Sequence, residues 1–273
     1  MKFLYDKPAG RMLLKLLTAP ALSRKAGEFL DTRKSLPLIP PFILANHIDM
    51  NEVAPKGWES FNDFFTRKLL PGSRTVEADE NLMISPCDGL LKAFDIREGS
   101  VVTVKDVPYT VRDLLRSGRL ADIYEGGLCL VYRLTPSHYH RYIYPESGMK
   151  TRQITLSGIL HTVRPVATEE VPVFVQNTRS YSVIKSRNFG PIVFMQVGAM
   201  LVGRIVTEEA GACRVRRGDE AGRFEYGGST IVVLVRPGRL ELYEDIKKAS
   251  ASDTEYPVRL GQAIGKRLNA DLR

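Results

Sequence analysis

Short apolar runs, separated by glycine and by polar residues, dominate the chain between about residues 82 and 240. They are rich in the β-branched and aliphatic side chains that favour extended structure, and they are too short for typical helices. The clearest runs are 82–84, 101–104, 128–132, 192–197 and 201–206. This pattern predicts an α+β fold with a mainly antiparallel β core, which one short helix at 111–117 interrupts.

The first 50 residues follow a different pattern, in which apolar residues recur at helical spacing. Two short amphipathic helices are predicted, and Pro20 ends or kinks the first. Their apolar positions are Met12, Leu13, Leu16 and Leu17, then Leu22, Ala26, Phe29 and Leu30. Three prolines between residues 37 and 41 predict a linker, and Ser60 with Asp63 predicts the N-cap of another helix. Residues 242–273 show no strong period, and we expect them to wrap the core.

The composition is that of an ordinary globular protein, with 273 residues, 44% hydrophobic and 26% charged. This length can bury a sizeable core in one large domain or two small ones. Three widely spaced cysteines argue against a disulfide framework or a zinc site and favour a reducing compartment. No secretory leader pattern is evident, and no apolar run is long enough to predict a membrane span.

Positive charge is concentrated at the start of the chain. The net charge is +8, and residues 1–35 carry eight Lys or Arg against three acids. Basic amphipathic helices are typical of contact with an anionic membrane surface, although packing on the domain explains the same pattern equally well. Nucleic acid is a weaker interpretation, because the segment has few aromatic residues and no binding motif.

One apolar run begins beside a serine that follows two glycines. Gly227, Gly228 and Ser229 lead into the aliphatic residues 231–235, which predict a buried strand. Because glycine tolerates backbone angles closed to other residues, Ser229 would lie where a strained turn enters a rigid strand. Its hydroxyl can attack the carbonyl of Gly228, and β-elimination of the ester gives dehydroalanine, which hydrolyses to a pyruvoyl group. A hairpin turn explains the motif more simply, so it needs support from elsewhere in the chain.

Two other stretches hold side chains suited to acid–base chemistry. Asp88 lies in a Pro/Gly turn after an apolar run, where capping the turn would be its ordinary role. His138 and His140 lie in a short polar and aromatic stretch, and on a strand they would share one face. No Cys, Asp or Glu nearby completes a metal site, so we expect no metal. A base for Ser229 and an acid–base group for a substrate are better interpretations.

These motifs, and others in the same order along the chain, resemble the phosphatidylserine decarboxylase family. Asp88 lies in Ser-Pro-x-Asp-Gly, His140 in Tyr-His-Arg, and Ser229 in Gly-Gly-Ser-Thr before an apolar strand. The other matching stretches are 60–69, 126–127, 197–203, 217–222 and 261–265. The resemblance covers nearly the whole chain from about residue 55.

The resemblance implies a self-processing proenzyme whose cofactor is a covalent pyruvoyl group. Cleavage between Gly228 and Ser229 would give a β chain, 1–228, and an α chain, 229–273, that begins with the pyruvoyl group. The pyruvoyl ketone would form a Schiff base with the amine of phosphatidylserine and act as the electron sink while CO₂ leaves. Hydrolysis would then release phosphatidylethanolamine.

The resemblance also assigns roles to individual side chains. Asp88 matches the acid of an Asp-His-Ser maturation triad, and His140 matches the histidine assigned to decarboxylation. The family's triad histidine lies three residues further on, where this chain has Ile143, which cannot accept a proton. We hypothesise that His161, from a neighbouring predicted strand, replaces it, because a triad is defined by geometry and not by chain position. His138 is a second candidate, and a simple packed or surface histidine is the alternative for His161.

Domain organisation and partners follow from the same resemblance. We expect residues 1–50 to form a helical membrane-contact segment and linker, and residues 51–273 to form the decarboxylase domain. The expected partners are phosphatidylserine, an anionic membrane surface and the cleaved α and β chains, with homodimerisation left open and no nucleic acid. The expected location is the cytoplasmic face of the cell membrane, with peripheral attachment.

The sequence is also compatible with two alternatives. Related pyruvoyl enzymes decarboxylate soluble aromatic amino acids, and such an enzyme would not need a lipid-facing N-terminal surface. In the other alternative, Ile143 disables the triad, and the uncut chain serves as a membrane-binding or partner-binding protein.

Overall fold

A nine-stranded sheet forms the centre of the protein. The computed structural model describes residue 25 and residues 27–104, 107–162, 173–198, 204–226 and 229–268. Every strand pair among these residues is antiparallel. The predicted α+β fold with a mainly antiparallel core is therefore confirmed.

Helices are few and short in the described residues. Besides the helical residues 27–30, they are α1 (Ile39–Ala45), α2 (Phe61–Phe65), α3 (Val111–Leu115), α4 (Gly118–Asp122) and α5 (Glu244–Ala251). Two 3₁₀ helices cover Arg33–Leu38 and Met50–Glu52. No helix within the described ranges is long and apolar enough to cross a membrane.

The strands follow one another closely along the chain. In order, they are β1 (Leu82–Ile84), β2 (Gly89–Asp95), β3 (Val102–Val104), β4 (Val107–Tyr109), β5 (Leu128–Leu134), β6 (Arg141–Ile143), β7 (Gly148–Lys150), β8 (Ile154–Leu156), β9 (Ile159–Thr162), β10 (Val173–Gln176), β11 (Arg179–Ser186), β12 (Gly190–Val197), β13 (Ile205–Thr207), β14 (Cys213–Val215), β15 (Glu220–Phe224), β16 (Ser229–Val235), β17 (Leu240–Leu242), β18 (Tyr256–Val258) and β19 (Ala263–Arg267).

The central sheet has the order β14-β7-β11-β12-β16-β5-β2-β18, and β8 also pairs with β11. β16 lies in the middle and is buried along its whole length. Side chains alternate between the two faces of a strand, so Ile231 and Val233 join one core cluster while Val232 and Leu234 join the other. The predicted buried strand after the glycines is thus a two-sided core strand.

Two different layers cover the faces of this sheet. On the first face, the sheets β13-β15-β6 and β1-β19-β17 contribute Tyr142, Phe224 and Ile264 to the main apolar core. On the second face, the β3–β4 hairpin with α3 and α4 contributes Val102 and Leu114. Ser229, the first residue of β16, lies at one end of this first face.

A separate aromatic cluster joins the N-terminal part to the sheet domain. The Ser60 hydroxyl accepts a hydrogen bond from the Asp63 N–H at 3.1 Å, which confirms the predicted N-cap of α2. The cluster contains Leu30, Ile39, Ile48, Phe61, Phe64 and Phe65, with Tyr226 packed against it. Apolar residues from both sides of the predicted boundary at residue 50 therefore share one core.

Some local predictions differ from the structure. The prolines at 37–41 lie in helical turns and not in an extended linker, because Pro40 and Pro41 occupy the first turn of α1, where an N–H is not needed. The helix predicted at 111–117 ends at Leu115, since Arg116 adopts a left-handed φ of 47°. Residues 242–273 include α5, β18 and β19, which lack a long period because each is short. The first predicted helix lies outside the described residues, whereas residues 27–30 are helical.

Candidate active site

Three central strands bring Ser229 and Asp88 to the same end of the sheet. Ser229 begins β16 and pairs with Leu134 at the end of β5, while on the other side of β5 Leu90 pairs with Arg133. Asp88 directly precedes β2, so the two residues flank the end of β5. Ser229 is only 1% exposed, and its Oγ has no hydrogen-bond partner in the described part of the chain. This hydroxyl is therefore held in the interior without being engaged by the surrounding protein.

The segment that leads into Ser229 is docked on helix α2. The Tyr226 N–H donates to Oδ1 of Asn62 at 3.2 Å, and the Tyr226 ring lies 5.2 Å from the rings of both Phe61 and Phe65. These contacts fix the chain three residues before the candidate cleavage position. Gly228, the predicted cleavage partner of Ser229, lies outside the described residues together with Gly227.

In the described structure, the side chain of Arg74 and one backbone N–H hold the Asp88 carboxylate, and no described histidine side chain does. Arg74 donates from Nη2 to Oδ2 at 2.6 Å and from Nε to Oδ1 at 2.8 Å, and the Leu260 N–H donates to Oδ1 at 2.8 Å. Arg74 also donates to Glu52 at 2.9 Å. The hydrogen bond with Asp88 is the main reason that the pKa of Arg74 lies above its ordinary value. Sequence reasoning missed Arg74, which belongs to no motif and meets Asp88 only through the fold.

Ile143 lies beside the Asp88 turn in a small apolar cluster. Its N–H donates to the carbonyl of Pro86 at 2.9 Å, and its side chain packs with Ile84 and Leu260. The side chain is 7% exposed. The position three residues after His140 therefore faces the neighbourhood of Asp88, as a triad member would, but provides only hydrocarbon.

His138 and His140 have opposite hydrogen-bonding roles. The Thr135 N–H donates to Nδ1 of His138 at 2.9 Å, so the neutral His138 ring carries its proton on Nε2. Nδ1 of His140 lies 2.9 Å from the carbonyl oxygen of His138. Because a carbonyl only accepts, His140 donates from Nδ1, and its neutral ring keeps the lone pair on Nε2. His140 is thus arranged to accept a proton at Nε2, and His138 to donate one.

His140 is oriented towards the same core as Ser229. It is 1% exposed, and its ring lies 4.0 Å from the ring of Phe65. It immediately precedes β6, where Tyr142 is two residues further on and belongs to the main core with Ile231. Residues two apart on an extended chain share a face. His140 therefore lies on the same face as Tyr142, and Ser229 on the same face as Ile231, so both are directed towards the main core.

The expectation that His138 and His140 share one strand face is wrong. Residues 135–138 form a tight turn around Pro136, in which the His138 N–H donates to the Thr135 carbonyl at 3.0 Å. His138 lines a surface pocket that Asp88 also lines. Burial lowers the pKa of His138, and the negative charge of Asp88 partly opposes this effect.

His161 lies on a ribbon that starts near the same end of the sheet. It belongs to β9, which pairs with β10, and its side chain lies outside what the structure describes. At the base of the ribbon the Gly158 N–H donates to Oγ1 of Thr178 at 3.1 Å. Thr178 directly precedes Arg179, the first residue of β11. Arg179 pairs with Val197 of β12, and Val197 pairs in turn with Thr230, the residue after Ser229. The role predicted for His161 stays a prediction.

Comparison with known proteins gives the family. The family profile described as phosphatidylserine decarboxylase matches residues 61–266. The chain is 39% identical to phosphatidylserine decarboxylase proenzyme 2 of Clostridium acetobutylicum, an alignment that covers 97% of this chain and 91% of that protein. It is 38% identical to the phosphatidylserine decarboxylase proenzyme of Clostridium tetani, with 88% and 82% covered. The chain therefore belongs to the phosphatidylserine decarboxylase family.

Proposed function

We propose that this protein is a self-processing carboxy-lyase that converts phosphatidylserine to phosphatidylethanolamine and CO₂. The observation that carries the proposal is the buried Oγ of Ser229, which has no partner among the described residues and directly follows two glycines. The names of the relatives, phosphatidylserine decarboxylase proenzymes, support both the substrate and cleavage into chains. They do not favour the alternatives, a soluble amino acid as substrate or an uncut binding protein.

The chain's own residues fit the origin of a pyruvoyl cofactor. In our proposal Ser229 Oγ attacks the carbonyl carbon of Gly228, the peptide C–N bond breaks, and an ester forms. Loss of the α proton of Ser229 then expels the Gly228 carboxylate by β-elimination, and hydrolysis of the resulting dehydroalanine releases ammonia. The pyruvoyl group left at residue 229 would supply the carbonyl that binds the substrate amine and accepts the electron pair released with CO₂.

His140 is our candidate for the proton-handling group of the decarboxylation step. Its Nδ1 bond to the His138 carbonyl fixes the ring, so that Nε2 is the atom that holds or delivers a proton. The ring of Phe65 covers one side of the imidazole, and the burial of the site excludes water from it.

For the base that activates Ser229, we propose His161, with Asp88 providing the nearby negative charge that favours a protonated imidazole. The tautomer of His138 supports this choice, because its Nδ1 already accepts from Thr135 and its neutral Nε2 carries a proton. His138 in this arrangement can donate to the site but cannot take the proton of a serine.

The two histidines make separable predictions for self-cleavage. We expect His161→Ala to slow cleavage by about 10²- to 10⁴-fold, the usual contribution of a positioned general base. We expect His138→Ala to cleave within about threefold of the unchanged chain, because its lone pair is engaged. The measurement is the fraction of cut chain against time after denaturing electrophoresis. Normal cleavage of His161→Ala would refute the role proposed for His161, and failure of His138→Ala with normal folding would point to His138 instead.

We also propose a peripheral membrane contact through the N-terminal part of the chain. Phe29, Leu38 and Leu44 are 45%, 43% and 78% exposed, and Arg33 and Lys34 lie between them in the sequence. Exposed apolar side chains beside basic ones are typical of surfaces that rest in the headgroup region of an anionic membrane. The relatives' lipid substrate makes such a contact useful, and the cytoplasmic side remains our proposal.

The double variant Leu38→Glu/Leu44→Glu should weaken binding to phosphatidylserine vesicles by about tenfold or more, because two apolar contacts are lost and two negative charges are added. Vesicle co-sedimentation measures this effect. Val101→Glu is the matched control, since Val101 is 53% exposed and belongs to the separate β3–β4 region. Equal loss of binding in the control would contradict the assignment of this surface.

The proposed activity is tested by incubating purified, cut protein with phosphatidylserine vesicles and measuring CO₂ and phosphatidylethanolamine. We expect both products in equal amounts, and none from soluble aromatic amino acids. Release of CO₂ from the amino acids but not from the lipid would overturn the proposed substrate.

A further inference from the structure

A pocket of about 480 Å³ lies between the N-terminal helical region and the turn after β5. Its charged and titratable lining includes His47, Asp49, Arg67, Arg74, His138 and Arg259. Asp88 and Gly89 also line it, so it adjoins the strand end that Ser229 flanks. A pocket at this position is suited to a polar group attached to the reacting part of the substrate.

Arg67 is the unusual residue of this pocket. It is only 4% exposed, and of its donors only Nη2 makes a hydrogen bond in the described chain, a long one of 3.4 Å to the Ser137 carbonyl. Nε and Nη1 have no partner among the described residues. The guanidinium carbon lies 5.3 Å from the centre of the Phe64 ring. Burial lowers the pKa of Arg67 to about 10, and the negative charge of Asp88 opposes this shift only in part.

The carboxylates of the pocket are already engaged by other groups. Asp88 and Glu52 both accept from Arg74, and Asp49 accepts from the Asn51 N–H at 2.9 Å. A buried guanidinium without its own carboxylate is costly to the fold, and an anionic ligand would offset that cost. Arginine is also the side chain best matched to carboxylate and phosphate oxygens.

We infer that Arg67 binds an anionic oxygen group of the substrate headgroup, either the phosphodiester or the serine carboxylate. The inference rests on the proposed function for the identity of the ligand. Arg67 is then a specificity-determining residue, which holds the headgroup while the amine is presented at the position of Ser229. It distinguishes a charged phospholipid headgroup from a neutral amine of similar size.

The experiment measures binding of headgroup probes that carry no reactive primary amine. Glycerophosphocholine represents the phosphodiester, N-acetylserine represents the carboxylate, and inorganic phosphate represents a free anion. Each probe is titrated calorimetrically into the unchanged chain, Arg67→Gln, Arg67→Lys and the control variant Arg97→Gln. Arg97 is a suitable control because its side chain is 79% exposed and lines a different pocket. The kinetic readout is KM and kcat for phosphatidylserine in the cut enzymes.

We expect Arg67→Gln to weaken at least one headgroup probe by about tenfold or more and to raise KM more than it lowers kcat. Loss of glycerophosphocholine binding would assign the phosphodiester, and loss of N-acetylserine binding alone would assign the carboxylate. Arg67→Lys should show a smaller loss, because it keeps the charge without the planar donors, and it replaces Arg67→Gln if that variant does not fold. Arg97→Gln should be unchanged.

Three outcomes would overturn the inference: unchanged affinities in both Arg67 variants, no binding of either headgroup probe to the unchanged chain, or binding of inorganic phosphate alone. The titrations need no catalysis. A chain that fails to cut itself but binds the probes through Arg67 would therefore refute the proposed function and leave this site standing.

Discussion

Ser229→Ala should remain a single chain of 30.6 kDa, while the unchanged protein separates into chains of residues 1–228 and 229–273. Alanine has no oxygen to attack the preceding carbonyl, so neither the ester nor the pyruvoyl group can form. Decarboxylase activity should fall below detection in the same variant. Intact mass spectrometry measures both chains, and the smaller one should lack a free amine and react as a ketone.

Ser182→Ala is the matched control for this experiment. Ser182 is 1% exposed, and its Oγ also lacks a hydrogen-bond partner within the described ranges. It lies in the middle of β11 and follows Tyr181, so no glycine opens the backbone before it. We expect Ser182→Ala to cut itself as the unchanged chain does. An uncut unchanged protein, with the same mass pattern as Ser229→Ala, would rule out the pyruvoyl enzyme.

The pattern of apolar runs was sufficient to predict the sheet and its most buried strand. The short apolar runs at 192–197 and 231–235 are typical of strands that are buried on both faces, as β12 and β16 are. Ser60 and Asp63 predicted the start of α2, because an N-cap depends on residues only three apart. Residues close together in the sequence were therefore enough to predict these elements.

The partners of the site residues could not be predicted in the same way. Arg74 meets Asp88, and Asn62 meets Tyr226, through contacts that join distant parts of the chain. No spacing rule connects such pairs, since they depend on how the segment from Asn62 to Arg74 packs against the rest of the domain. The turn at residues 135–138 likewise places the two histidines differently from an extended strand, because it is closed by hydrogen bonds between Thr135 and His138.

Ile143 contributes to the shape of the site although its side chain cannot accept a proton. The residue packs with Ile84 and Leu260, and the Leu260 N–H is one of the donors that hold Asp88. Apolar packing at this position therefore stabilises the loop that presents the Asp88 carboxylate. A base from another strand is then needed only to take the proton of Ser229, and this is the role that we propose for His161.

Asp88→Asn should slow self-cleavage by about 10²- to 10⁴-fold, because the amide keeps the shape of the side chain but removes the charge that favours a protonated base. Arg74→Gln should instead leave Asp88 as a buried, unpaired carboxylate and reduce the free energy of unfolding by about 3 kcal/mol. Urea denaturation measures stability, and the appearance of the two chains measures cleavage, so the two effects are separable.

The double variant Arg74→Gln/Asp88→Asn distinguishes a chemical role of Asp88 from a structural one. With both charges removed, the remaining amides can still hydrogen-bond, so the stability should recover most of what Arg74→Gln loses. Cleavage should stay as slow as in Asp88→Asn, because the Asp88 carboxylate is absent from both variants. If cleavage recovered together with stability, Asp88 would act only by holding the fold through Arg74, and the base would need no acidic partner.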